Sequence, residues 1–161
     1  MSQEVSLLGK KIIITRAQDQ ISEASSLFQK NGAEVFDLPS LIIGPPNDWT
    51  PLDEALKEIE TFNWIIFSSA NGVRNVETRM NRLNLSLSQV SKSVKIAAVG
   101  QKTANLLKTM DAIISFVPPT FIADSLVKYF PQNTKSLKLF IPRVQTGGRS
   151  ILSESFRSFG A

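Results

Sequence analysis

The sequence predicts an α/β protein built on a parallel sheet that helices cover on both faces. Two observations carry this. Short runs that are apolar at successive positions recur along the chain, and segments with apolar residues at helical spacing separate them. A strand that is apolar at every position has no solvent face, so it belongs to a sheet packed on both sides.

Lys11–Thr15 (KIIIT) is a β-branched run too short for a helix and predicts a buried parallel strand. From Asp19 to Lys30 the residues Ile21, Ala24, Leu27 and Phe28 share a helical face, and Asn31-Gly32 supplies the stop. Glu34–Ile43 is extended but carries Pro39 and runs into Gly44-Pro45-Pro46-Asn47. Proline cannot donate to a ladder, so this segment predicts an edge strand or a connector, with a boundary between units beside it. The expected division is a strand and helix over 1–37, a connector over 38–50 and an α/β domain over 51–161.

Beyond the connector, Thr50 is the expected N-cap and Pro51 the first residue of a helix to Glu60, with Leu52, Ala55, Leu56 and Ile59 inward. The strand Trp64–Ser68 follows. A helix over Val73–Leu83, with Val73, Val76, Met80 and Leu83 on one face, leads to the strand Lys95–Val99. A helix over Thr103–Thr109, a strand over Ile113–Val117, a helix over Ile122–Phe130, a strand over Leu137–Ile141 and a helix over Arg149–Phe159 complete the series. Right-handed crossovers between such strands make a doubly wound, flavodoxin-like sheet the expected topology.

Composition narrows the chemistry. The 161 residues include neither cysteine nor histidine, which excludes a disulfide scaffold, a thiolate zinc site, a Cys nucleophile and any His-based triad. Hydroxyls, carboxylates, Lys, Arg and the backbone remain. The formal net charge is +4, and it is unevenly spread: residues 1–60 hold five basic and ten acidic side chains, residues 61–161 thirteen basic and four acidic. A positive second half suits an anionic partner, although Arg74, Arg79, Arg82, Lys92, Lys95 and Lys108 also read as solvated helix and turn residues. The basic residues form no short tract and accompany no nucleic-acid motif, so the expected partner is a small polyanion rather than a nucleic acid. The N-terminus has no apolar core with a cleavage pattern and no run of about 18 apolar residues occurs, so the expectation is a soluble cytoplasmic protein without membrane contact.

In such sheets ligands bind outside the carboxyl ends of the strands, where helix N-termini present backbone N–H groups. Two turns there are small and polar: Ser68-Ser69-Ala70-Asn71-Gly72 and Gly100-Gln101-Lys102-Thr103. Each offers hydroxyls and amides to an anion, although a Ser or Asn at such a position is more often a helix cap than a ligand contact. Gly147-Gly148-Arg149 is either an anion cradle or a plain loop. No GxGxxG and no GxxxxGK[ST] occurs, which disfavours a nucleotide-using enzyme of Rossmann type. No acidic cluster follows the first strand, which disfavours a receiver-type domain.

Taken in order, the strand ends resemble the uroporphyrinogen-III synthase family. The series is Ile14-Thr15-Arg16, Leu38-Pro39-Ser40-Leu41-Ile42-Ile43, Trp64 through Val73, Ala98-Val99-Gly100-Gln101-Lys102-Thr103-Ala104 and Ile141-Pro142-Arg143. It spans Leu8 to Ala161. Ala17 stands where the family usually has proline, and Ser68 where it usually has threonine.

The resemblance implies an enzyme of tetrapyrrole and haem biosynthesis that closes linear hydroxymethylbilane into uroporphyrinogen III with inversion of the last pyrrole ring, using no metal or organic cofactor. It implies two flavodoxin-like domains with substrate in the cleft between them. Ser68, Ser69, Asn71, Gly100 and Thr103 would face that cleft, Thr103 hydrogen-bonding a substrate carboxylate, and Arg16 would contact substrate or form a structural ion pair. The family's first domain is discontinuous and returns through a strand bearing a tyrosine that aids loss of the hydroxyl. The present chain would then be a truncated form with an incomplete first unit, open to strand exchange or self-association, and with its catalytic residue unassigned. The single tyrosine, Tyr129, reads as a packing residue on a helix. The alternative reading is a non-enzymatic flavodoxin-like domain that binds a small polyanion.

Overall fold

The computed structural model describes residues 6–15, 18–40, 44–144 and 150–161. The chain divides into two compact units, Met1–Pro45 and Pro46–Ala161.

In the first unit, strand β1 (Lys11–Ile14) and strand β2 (Glu34–Asp37) pair in parallel, Lys11 opposite Glu34 and Ile14 opposite Asp37, with helix α1 (Gln18–Lys30) between them in sequence. Ile14, Ile21 and Ala33 are buried where the helix meets the pair, and the Ser25 hydroxyl donates to Asp37 Oδ1 at 2.5 Å. Gly32 ends the helix with φ +89°, and a Cβ there would stand 3.3 Å from the Leu8 backbone, so both conformation and space call for glycine. Leu27, expected on the inward face, is exposed instead: with Ile21 and Ser25 turned to the strands, position 27 falls on the outer side of the helix. Ile13 and Phe36, opposite one another in register, are also exposed.

The second unit opens with helix α2 (Thr50–Lys57), extended by a short 3-10 turn over Ile59–Thr61. The cap is not Thr50. Asp48 Oδ1 accepts the Thr50 amide at 2.8 Å and draws that residue into the helix, leaving Trp49 as the cap residue. Strand β3 (Trp64–Phe67), helix α3 (Ala70–Arg82), a single helical turn α4 (Leu87–Val90) that the periodicity did not predict, strand β4 (Lys95–Ala98) and helix α5 (Gln101–Thr109) follow. Helix α6 (Ala123–Lys128), strand β5 (Leu139–Phe140) and helix α7 (Ile151–Ser158) complete it.

The strands lie in parallel in the order β4-β3-β5. Alternation along them divides the core. Ile65, Phe67, Ile96 and Ala98 pack with Leu56, Val76, Met80 and Leu107 on one face, whereas Trp64, Ile66, Ala97 and Val99 pack with Leu126, Leu152 and Phe156 on the other. All four residues of β3 are buried, which is why its sequence is apolar throughout. The strand expected over Ile113–Val117 is reduced to one parallel bridge, Phe116 beside Ala97. Asp111 turns with φ +55°, the Ile113 amide is taken by the Ser91 hydroxyl, and Pro118-Pro119 removes two donors at the far end. Likewise β5 stops short of Pro142.

Candidate functional site

Because β3 and β4 are parallel and in register, Phe67 opposite Ala98, their following turns emerge side by side; the Val99 amide donates to the Phe67 carbonyl at 2.9 Å. The two polar turns singled out in the sequence, Ser68–Gly72 and Gly100–Thr103, therefore meet at the carboxyl edge of the sheet. Helices α3 and α5 start there, each with its N-terminus toward that edge.

The two helix starts are built differently. At α3, Ser69 is the N-cap and its hydroxyl accepts the Gly72 amide at 3.1 Å. Ser68 is exposed, and Asn71 accepts a hydrogen bond from Arg74 on its side-chain oxygen at 3.1 Å, which leaves its side-chain NH2 as the donor end. At α5 the cap residue is Gly100, in extended conformation and with no side chain to accept an amide. Thr103 lies on this first turn and is only 5% exposed. Its hydroxyl makes no hydrogen bond among the described residues, and since no sealed side-chain polar atom there lacks a partner, the hydroxyl opens to solvent. The main-chain amides of Ala70, Asn71, Gln101 and Thr103 likewise have no acceptor among the described residues.

Charge sets both of these helix starts apart from those of α2, α6 and α7. The first turns of α2, α6 and α7 carry Asp53, Asp124 and Glu154, whereas those of α3 and α5 carry no acidic residue. An acidic side chain in the first turn offsets the positive end of the helix dipole; α3 and α5 leave that end to the surroundings. The arrangement can hold carboxylates by amide and hydroxyl donors.

One neighbour of this edge is not evident from the sequence. The chain moves outward from β3 to β4 to Phe116 and then crosses back to place β5 on the other side of β3, so the strand order reverses between β3 and β5. The turn after β5 is thereby brought against the start of α3: a Cβ at Gly72 would lie 4.0 Å from the Pro142 carbonyl oxygen. Ligands of open α/β sheets bind at such a reversal. The pattern of Ile141-Pro142-Arg143 signals a strand end; the strand order that makes it part of this edge is a long-range property.

Of the remaining candidates, Arg16 and Gly147-Gly148-Arg149 lie outside the described residues. Tyr129 is half exposed at the C-terminal end of α6, under the Lys128 ammonium at 5.2 Å from its ring centroid. Among the described residues no group of three His, Cys, Asp or Glu side chains gathers to hold a metal, and no helix is long and apolar enough to cross a membrane.

Comparison with known proteins gives these features a family. The model of the family described as uroporphyrinogen-III synthase HemD matches residues 22–161. The chain is 44% identical over 158 residues to the uroporphyrinogen-III synthase of Synechococcus elongatus, covering 98% of this chain and 59% of that protein. It is 28% identical over 152 residues to a putative uroporphyrinogen-III synthase of Methanocaldococcus jannaschii, covering 92% of this chain and 58% of that one. The chain thus spans about three fifths of the length of these relatives. A crystal structure of a mutant Thermus thermophilus uroporphyrinogen III synthase shares the fold, with a TM-score of 0.71 at 15% identity over 94% of this chain and 58% of that one. On the family match and the 44% identity over nearly its whole length, the chain belongs to the uroporphyrinogen-III synthase family.

Proposed function

We propose that this chain contributes to uroporphyrinogen-III synthesis, the closure of hydroxymethylbilane to uroporphyrinogen III with inversion of the last pyrrole ring, and that the carboxyl edge of the second unit binds the substrate's carboxylates. In this reading the second unit is flavodoxin-like, the residues up to 37 belong to a separate flavodoxin-like unit and 38–50 connect the two. Thr103 is the principal contact; Ser68, Ser69, Asn71 and the Gly100 turn add donors, and Arg16 is assigned to the same substrate. The observation that carries the reading is Thr103 itself. The residue is 5% exposed and fixed in place by packing, yet its hydroxyl bonds no described residue and opens to solvent on the first turn of an uncapped helix, so a rigidly held donor is available to an anionic ligand.

The chemistry asks little of acid–base groups. Loss of hydroxide from the hydroxymethyl carbon leaves an azafulvene cation; attack on it by the substituted carbon of the last ring gives a spiro intermediate, whose rearrangement and closure yield the product and water. Fixing the carboxylates fixes the ring positions, and holding a flexible chain in reactive shape is itself catalysis. A chain without histidine or cysteine is suited to that task.

The test is to supply hydroxymethylbilane and separate uroporphyrinogen III from isomer I, the product of closure without inversion. Thr103→Val keeps the shape and removes the donor, and is expected to lower the rate of isomer III formation about tenfold, the scale of one hydrogen bond to a charged group. Binding of the substrate without any isomer III would favour the non-enzymatic polyanion-binding domain instead. Unchanged rates in the variant would remove Thr103 from the site.

A further inference from the structure

We infer that Phe121 is a substrate-contacting residue of this site, a platform for the pyrrole face of the ligand whose carboxylates the two helix starts receive; this rests on the reading under Proposed function. The linker from Val117 to Ile122 leaves the sheet at the same carboxyl edge, because Phe116 is paired in parallel with Ala97. It brings Phe121 back to the start of α5: a Cβ placed on Gly100 would lie 3.8 Å from the Phe121 Cβ, with no other residue within 4 Å. Gly100 and the uncapped turn that carries Thr103 thus share their border with this aromatic residue.

Phe121 is 56% exposed, as is Ile122 beside it. The loop that carries them is tied down by packing and hydrogen bonds. Pro118 is buried, the Thr120 amide donates to the buried Ser125 hydroxyl at 3.4 Å, the Ile122 amide donates to the Thr120 carbonyl at 2.9 Å, and the Ile122 carbonyl accepts the Leu126 amide at 3.2 Å. An aromatic ring kept in water by an ordered loop, next to unpaired N–H donors, fits a ligand that is flat and apolar in its rings and anionic at its rim. A linear or cyclic tetrapyrrole has that character. A small aliphatic polycarboxylate needs only the donors.

The pair of ligands separates the roles. Binding of uroporphyrin, a stable tetrapyrrole polycarboxylate, and of citrate is measured by titration for the unmodified chain and for Phe121→Leu, Phe121→Ala and Thr103→Val, with circular dichroism to confirm folding. Phe121→Ala is expected to weaken uroporphyrin about tenfold, the scale of one desolvated aromatic contact, and to leave citrate unchanged. Phe121→Leu, which keeps the loop packed, is expected to show a smaller loss of the same selectivity; Thr103→Val is expected to weaken both ligands. If Thr103→Val weakens both while the Phe121 variants match the unmodified chain, the platform is overturned and the carboxylate site stands. Equal loss of both ligands in folded Phe121→Leu assigns Phe121 to structure alone and also overturns it. Failure of the unmodified chain to bind either ligand overturns the carboxylate site and the platform with it.

Discussion

Asp53 lies on the first turn of α2, and its carboxylate takes the Arg79 guanidinium of α3 in a two-pronged pair, with the guanidinium carbon 5.0 Å from the Trp49 ring centroid. The hydrogen bonds from Arg79 hold the Asp53 carboxyl below its ordinary value of 3.8, and the carboxylate in turn raises the Arg79 guanidinium. A depressed carboxyl pKa means that the folded state prefers the ionised form. Its contribution is fully present above 3.8 and fades as pH falls through the lower folded value. Asp53→Asn is therefore expected to lower Tm at pH 7, with the gap to the unmodified chain narrowing in melts taken below pH 3.8. A gap that stays constant with pH would show that the pair contributes through packing on Trp49 rather than through charge. At this scale the sequence was only partly legible. Arg79 and Asp53 are 26 residues apart, and nothing local marks them as partners. The Ser69 cap, by contrast, follows from a serine placed before a helical segment.

At the scale of the element, β3 decides the architecture of the second unit. It is the central strand, fully buried, with Ile65 and Phe67 supporting one core and Trp64 and Ile66 the other. Truncating a residue at its middle removes contacts from a helix layer that cannot collapse across the sheet. Ile66→Ala is expected to cost about 2–5 kcal/mol in denaturant unfolding, and a loss under 1 kcal/mol would contradict its position in the core. The strand itself was legible as an apolar run. The weak strand near Phe116 was overestimated, since the same apolar pattern is cut to one bridge by the Asp111 turn and by the two prolines. Periodicity reports which residues seek burial; backbone pairing depends on turns and donors at either end.

For the whole molecule, the uneven charge becomes functional only through the proposed ligand. Fourteen basic residues against nine acidic ones from Pro46 to Ala161 give the second unit a net charge of +5, a positive field in which a polycarboxylate binds more tightly at low ionic strength. Uroporphyrin affinity is expected to fall steadily as sodium chloride is raised from 20 mM to 500 mM, read by fluorescence titration, and affinity independent of salt would show that the field takes no part. The alternation of apolar runs with helical periodicity, the absence of histidine and cysteine, and the ordered series of polar strand ends were all determined by the sequence alone, because each is a property of neighbouring residues. They established the α/β class, the chemistry left open and the family. Tertiary structure alone decided that β5 crosses back beside β3, that Phe121 stands against Gly100 and that Thr103 is packed away except for a hydroxyl that bonds no described residue and opens to solvent. Those facts depend on which parallel strands become neighbours. A crossover brings together residues tens of positions apart, and local patterning carries no record of the choice.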